Sequence, residues 1–270
     1  MSIKIRWLGN ACFEIILPSG KVLITDPYID YSPSCPIKTD QVTGADYIAI
    51  THTHFDHCTD VGTLVEKFDS RVICGHLAGG RLADFFGFRW TNLVRVRAGD
   101  SVDFGDLKIE VKRSEHIYLP ITREQELNAH YEPPLDKMMP AMILADLHQM
   151  PVRDMEMLNF VFQIEDNLRI AMFGGGAFSY QRQEILQYKP NVAIFQFGGS
   201  ARGAEPMVEL AALSGAELII PYHHDTHPET THENARHIAR LLAEKSRAKF
   251  LDIEHGQWYE IGIQVEKAIQ

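Results

Sequence analysis

The stretch Tyr47-Ile-Ala-Ile-Thr-His-Thr-His-Phe-Asp-His57 places three imidazoles and one carboxylate within six residues, at the end of an apolar run. Residues 47–51 have the length and β-branched content of a buried strand, which puts His52, His54, Asp56 and His57 on the loop that leaves it. Alternation along an extended chain sends His52 and His54 to one side. Asp56 and His57 fall where the chain has to turn and can face another side, so one short loop can serve two adjacent cation positions. Imidazole together with carboxylate suits zinc, iron or manganese, whereas calcium and magnesium prefer oxygen donors alone. A lone histidine in a loop is ordinarily just solvated. Here four ligand-type side chains coincide, and the context that a metal motif requires is present as well. Thr59 or Asp60 can cap a helix running to about Phe68, with Val61, Leu64, Val65 and Phe68 on its apolar face.

A chain of 270 residues that is 45% hydrophobic can bury a large core. No Pro-, Gly- or Ser-rich linker divides it, which predicts one domain over 1–270. The formal net charge of −10 argues against an extended nucleic-acid surface, since phosphate backbones are bound mainly by clustered Lys and Arg. A small-molecule substrate fits that charge better. Met1-Ser-Ile-Lys-Ile-Arg-Trp-Leu reads directly into a strand rather than a secretory leader, and no apolar run reaches membrane-spanning length. Cys12, Cys35, Cys58 and Cys74 form no C-x-x-C pair, so reduced thiols in the cytoplasm are expected. Cys58 directly follows the metal loop and reads as a packed thiol rather than a ligand.

Taken in order, 3–8, 12–17 and 21–25 read as strands, and Asp26 ends the third. Residues 28–45 carry Pro33, Pro36 and Gly44 without periodicity and predict a loop near the mouth of the site. A strand over 71–74 leads to His76, which can face a substrate although a lone histidine at such a place is more often structural, and to a helix over about 78–86. Strands over 93–96, 101–104 and 107–113 bring the chain to His116. Residues 117–156, rich in Met and Pro, read as a lid or as a surface for a second subunit in a homo-oligomer. Further strands are expected over 158–164, 168–173, 192–195 and 217–221, with helices over about 180–187, 206–214 and 233–245. Arg202, in the glycine-rich loop after 192–195, is the best basic candidate for an anionic substrate group. Segments 250–253 and 257–261 read as a closing hairpin around His255-Gly256.

His52-Thr-His-Phe-Asp-His57 resembles the His-x-His-x-Asp-His signature of the metallo-β-lactamase-fold hydrolases. Trp7-Leu-Gly-Asn-Ala-Cys-Phe-Glu-Ile15, followed by Val22-Leu-Ile-Thr-Asp-Pro27, is similar to the first hairpin of that superfamily, and the likeness extends to most of the chain. The branch closest in look is the one that includes ascorbate-6-phosphate lactonase and related metal-dependent hydrolases. The resemblance implies an α/β fold, a four-layer αββα sandwich with ligands on loops at one edge. It implies that His116 joins His52 and His54 at a first metal, and that His223 joins Asp56 and His57 at a second. It also favours Asp26 as the hydrogen-bond partner of a ligating histidine over a simple Asp-Pro turn. His224, next to His223, stays a candidate for a supporting or substrate contact.

One departure matters. Most members of the superfamily carry an aspartate in a Gly-Asp-Thr-like turn, and its carboxylate bridges two metals. This chain has Gly174-Gly-Gly-Ala177, and Gly175 offers no side chain. The expectation is one tight divalent transition metal, zinc foremost with manganese or iron as alternatives, and a weaker second site. The function expected is hydrolysis of a small ester, lactone or phosphoester by metal-activated water, with Asp56 orienting that water or ligating the second cation. Two rivals use the same residues: an iron-dependent redox enzyme, and a metal-binding regulatory member without turnover.

Overall fold

The computed structural model describes residues 2–114, 156–165, 167–175, 182–197, 205–225 and 231–262. A first sheet contains β1 (Ser2–Trp7), β2 (Phe13–Ile16), β3 (Val22–Thr25), β4 (Tyr47–Ala49), β5 (Arg71–Gly75) and β6 (Leu93–Val96). Its seventh strand, β14 (Tyr259–Gly262), adds to the free edge of β1. A second sheet contains β7 (Ser101–Asp103), β8 (Lys108–Arg113), β9 (Leu158–Ile164), β10 (Leu168–Phe173), β11 (Val192–Gln196), β12 (Leu218–Tyr222) and β13 (Lys249–Phe250), in reverse order β13 to β7.

Period-two patterning explains the layers. In β10, Ile170 and Met172 enter the core between the sheets, while Ala171 and Phe173 enter a separate cluster on the outer face. β11 repeats this with Val192 and Ile194 inside and Ala193 and Phe195 outside. Strands buried on both faces read as continuous apolar runs, as these do. The outer face of the first sheet packs under α2 (Val61–Phe68) through Val61, Leu64 and Val65, and under α3 (His76–Phe86) through Leu82. The second is covered by α5 (Glu205–Leu213) through Val208 and Ala211 and by α6 (Thr231–Lys245) through Ile238 and Leu242, after the short α4 (Arg182–Ile185). Each such side chain contributes about 1.5–3 kcal/mol on full burial, so three apolar clusters hold an αββα sandwich together. Among the described residues no helix is long and apolar enough to cross a membrane.

Parallel pairing decides where a site can form. β3, β4, β5 and β6 run parallel, as do β10, β11, β12 and β13, so within each sheet the loops that follow these strands leave from one edge. The two sheets are stitched together there: the Leu158 N–H donates to the Thr51 carbonyl at 3.0 Å and the His223 N–H to the Asn10 carbonyl at 3.2 Å. Gly174 permits this approach, because a Cβ on it would stand 2.4 Å from the Leu158 carbonyl oxygen and 2.6 Å from the Thr51 Cβ.

Several elements differ from their sequence expectation. Asp56 and His57 lie on a one-turn helix, α1 (Phe55–Cys58), rather than in open loop. α3 begins at His76, where the Leu77 N–H donates to the Glu156 carboxylate at 2.9 Å; a partner 79 residues away leaves no local signal. Asp60 precedes α2 but its side chain makes no capping bond, because its Oδ2 accepts from the Ile29 and Asp30 N–H groups at 2.6 and 3.3 Å. The closing hairpin is not formed. β13 pairs in parallel with β12 and β14 antiparallel with β1, so the last strands belong to different sheets. His255-Gly256 is a turn, as read, but it docks on β1, with the Gly256 N–H donating to the Trp7 carbonyl at 2.7 Å. Strand partners are chosen by tertiary packing, which turn chemistry does not encode.

Candidate metal centre

Three site residues sit in strained backbone. Asn10 (φ +48°), Asp26 (φ +37°) and His223 (φ +60°) all adopt the left-handed region, where non-glycine residues are uncommon. Such conformations cost roughly 1–3 kcal/mol each and persist where the surroundings over-determine them. Here each lies just past the end of a strand, and each turns its chain toward the same edge.

Asp26 is buried completely and organises both histidine groups. Its Oδ1 accepts the Thr51 N–H and its Oδ2 the Thr51 hydroxyl, both at 2.7 Å, while His57 Nδ1 lies 2.9 Å from the same Oδ2. The Thr51 hydroxyl has one proton and gives it to Asp26, so it accepts from His52 Nδ1–H at 3.0 Å. Both rings are thereby held with Nδ1 protonated and Nε2 carrying the lone pair. His52 Nε2 stands 3.0 Å from His54 Nδ1. Two nitrogens sharing one tetrahedral zinc-like ion stand about 3.3 Å apart when each bond is near its usual length, so this pair is close to ligand spacing.

The second group draws on distant segments. Ligand atoms of Asp56, His57 and His223 all lie within 4.8 Å of one another. His223 Nε2 is 3.4 Å and His57 Nε2 3.8 Å from the Asp56 carboxylate. The His52 and His57 rings are 3.9 Å apart, so the two groups adjoin. Burial would push the Asp56 carboxyl up, but the charge of His57, the hydrogen bond and charge of His223 and the charge of His54 hold it well below the usual carboxylate range. Burial works against a charged His57, while Asp56 and Asp26 raise its pKa above the ordinary histidine value. In a metal-free chain this cluster attracts a proton; a cation competes for the same electron pairs. The donor set therefore fits a divalent transition metal.

The remaining candidates are dispersed. His76 is half-buried at the start of α3. His224 is buried, stacks on Trp7 with ring centroids 5.0 Å apart and lies 3.7 Å from Asp252, away from the Asp56 group. Cys58 is buried and donates to the His54 carbonyl at 3.2 Å, and burial pushes its thiol well up, so it is a packed thiol. Residues 115–155, with His116 and nearly all of the 117–156 insertion, and residues 198–204, with Arg202, lie outside the described residues. Sequence reasoning passed over Thr51, Asn10, Asp225 and His255. Gly9-Asn10 is a turn-type pair directly after a strand, and that was the available signal.

A two-sheet αββα sandwich with a His-x-His-x-Asp-His loop at the strand ends defines a metallo-β-lactamase-fold protein. A sequence profile described as Beta-lactamase superfamily domain matches residues 4–223, and the chain belongs to that family. A UPF0173 metal-dependent hydrolase of Koribacter versatilis is 32% identical over 114 residues, which is 42% of this chain and about half, 48%, of the length of that relative. Among solved structures, Igni18 from Ignicoccus hospitalis, described as a novel metallo hydrolase, superposes with a TM-score of 0.73 at 17% identity over 98% of this chain and 100% of that one. CmlA, a diiron β-hydroxylase from Streptomyces venezuelae, gives 0.62 at 12% identity over 97% of this chain and 54% of that one. These two structures share the fold.

Proposed function

We propose that this chain is a metal-dependent hydrolase acting on a small ester, lactone or phosphoester. The observation that carries the reading is the position of Asp26, whose one carboxylate fixes the tautomers of His52, through Thr51, and of His57 directly. A folded core gains little from burying a carboxylate against two imidazoles unless their free nitrogens have work to do. His52, His54 and His116 would hold the first cation, and Asp56, His57 and His223 the second. A bound divalent transition metal, zinc foremost, supplies Lewis acidity toward a carbonyl or phosphoryl oxygen and lowers the pKa of a water. Asp56, ionised at neutral pH, would orient that water or ligate the second cation. The relatives' description as metal-dependent hydrolases supports the reaction class. The lactone rests on the branch similarity, and Arg202 is the proposed contact for an anionic group.

Metal analysis of the protein purified without chelator, followed by a panel of esters, lactones and phosphoesters, tests the reading. Bound zinc or manganese with turnover of one class is the expected result. A chain that stays metal-free under metal-replete conditions would overturn it. An iron-dependent redox function is a second reading, favoured by a histidine and carboxylate donor set that suits iron equally and by the fold shared with the diiron enzyme CmlA. Iron with a redox-active spectrum on anaerobic analysis, and no hydrolysis, would select it.

A further inference from the structure

Asn10 lies between β1 and β2 in a turn closed by Cys12 N–H to Gly9 carbonyl (2.9 Å) and Leu8 N–H to Cys12 carbonyl (2.8 Å). It coordinates nothing in any reading above, yet it uses its side chain and both backbone polar groups within the site. Its amide Nδ2 donates to the Asp56 carbonyl at 2.7 Å and to Asp56 Oδ2 at 3.0 Å. Its carbonyl accepts the His223 N–H at 3.2 Å and the Trp7 indole N–H at 2.9 Å. Its N–H donates to Asp225 Oδ2 at 2.9 Å, and that oxygen lies 3.0 Å from His255 Nε2. His255 in turn stacks on Trp7 with ring centroids 4.0 Å apart.

Two of these contacts fall on proposed ligands from opposite sheets. Asp56 follows a strand of the first sheet and His223 a strand of the second, and Asn10 hydrogen-bonds both. The amide grips the carboxylate of Asp56 and the carbonyl of the same residue at once, which removes rotation about both its side chain and its turn of helix. The carbonyl of Asn10 holds the backbone of His223 in its left-handed conformation. The turn that presents these groups needs φ near +48° at residue 10, a conformation asparagine tolerates and most side chains do not.

We infer that Asn10 is a positioning residue for the second cation: it sets the separation and orientation of Asp56 and His223, so that this position is formed before metal arrives. The inference rests on the assignment of Asp56, His57 and His223 as that position. With no carboxylate at residue 175 to bridge two metals, the second cation depends on its three remaining ligands, and their preorganisation matters more than it would in a bridged pair. The Asp225–His255–Trp7 contacts extend the same support to the turn at residues 255–256.

The test uses cobalt(II) alone, titrated into metal-free wild type and Asn10→Gly, with the visible absorption of each equivalent recorded beside thermal unfolding of the metal-free chains. Glycine keeps the left-handed backbone and deletes only the amide. Removing a group that orients a ligand typically weakens metal binding about 10- to 100-fold. The expected result is that loss, with an altered spectrum, for the second equivalent only, while the first equivalent and the unfolding temperature stay close to wild type. A loss confined to stability would not move the ratio of the two affinities. In wild type, the side-chain amide signals of Asn10 in 15N-labelled protein should shift on addition of diamagnetic zinc at the second equivalent and not at the first, which checks the inference even if the variant folds poorly. Equal second-equivalent affinity and spectrum in Asn10→Gly, or an Asn10 amide indifferent to that equivalent, would overturn it. A wild type that takes no second equivalent at any concentration overturns it too, and places the fault in the ligand assignment.

Discussion

His52 and His54 leave β4 two residues apart and meet through their rings, so one stretch of backbone suffices to bring them together. The Asp56–His57 pair meets His223 because the ends of both sheets are pinned at one edge by Asn10, Thr51 and Gly174. The His52–His54 pair of the first proposed position is thus local, whereas the second joins the Asp56–His57 pair to His223 from the other sheet. Charge separates them as well. The second has a carboxylate of its own, Asp56, whereas the first has imidazoles alone, yet the carboxylate that would ordinarily be shared by both is replaced by Gly175. Assembly from both sheets makes the second position sensitive to any residue that sets their spacing.

The largest effect is expected at the first position. His52→Ala or His54→Ala should abolish the tight metal while leaving a folded chain, since three apolar clusters and not the metal hold the sandwich. Metal content by elemental analysis beside circular dichroism checks this; unfolding of either variant would place the loop in the core of stability instead.

Asp26→Asn comes next, because it is where the two positions are coupled. Asparagine tolerates the left-handed backbone but cannot accept all three hydrogen bonds, so both positions should weaken, each about 10- to 100-fold. Competition with a chromophoric chelator reads both, and weakening of only one would break the coupling.

Gly175→Asp should act in the opposite sense, tightening the second metal on the order of 10-fold as a negative ligand is restored. Gly174 beside it has no room for a side chain. A tightening of the first metal alone would contradict the expected register of this turn.

A last effect, on stability rather than on metal binding, concerns Asp60 and the backbone at Ile29 and Asp30 that it holds. Burial pushes Asp60 up to about 6, while the N–H groups of Ile29 and Asp30 pull it partly back. A carboxyl whose folded pKa lies above its unfolded value contributes most below pH 4, and that contribution is lost as pH rises through about 6. Relative to Asp60→Asn, wild type should therefore lose stability across this window, by up to about 3 kcal/mol. Denaturant titrations of the metal-free chains at pH 4 and pH 7 give the difference, and parallel curves would show that Asp60 is not strained by its burial.

The longer strands and helices were legible because each shows its period, whereas their arrangement in two packed sheets came from the family resemblance. The proposed metal residues were legible as a cluster because His52 to His57 lie within six positions, and His223 needed the family resemblance to be picked out. Asn10, Thr51, Asp225 and His255 were not legible, since their roles arise from contacts spanning 215 residues for Asn10–Asp225, 46 for Asn10–Asp56, 30 for Asp225–His255 and 25 for Thr51–Asp26, between polar side chains that local pattern treats as turn formers. The final strands failed for a related reason. A turn at His255-Gly256 is encoded locally, but its partner is the first strand of the chain.

Zinc titration of the metal-free wild type, with a competing chelator and no added bridging anion, tests the central claim that the two positions differ in strength. The account predicts one tight zinc per chain and a second that binds only at much higher concentration. Two equally tight zinc ions would contradict it, and would mean that another residue supplies the bridge absent at Gly175.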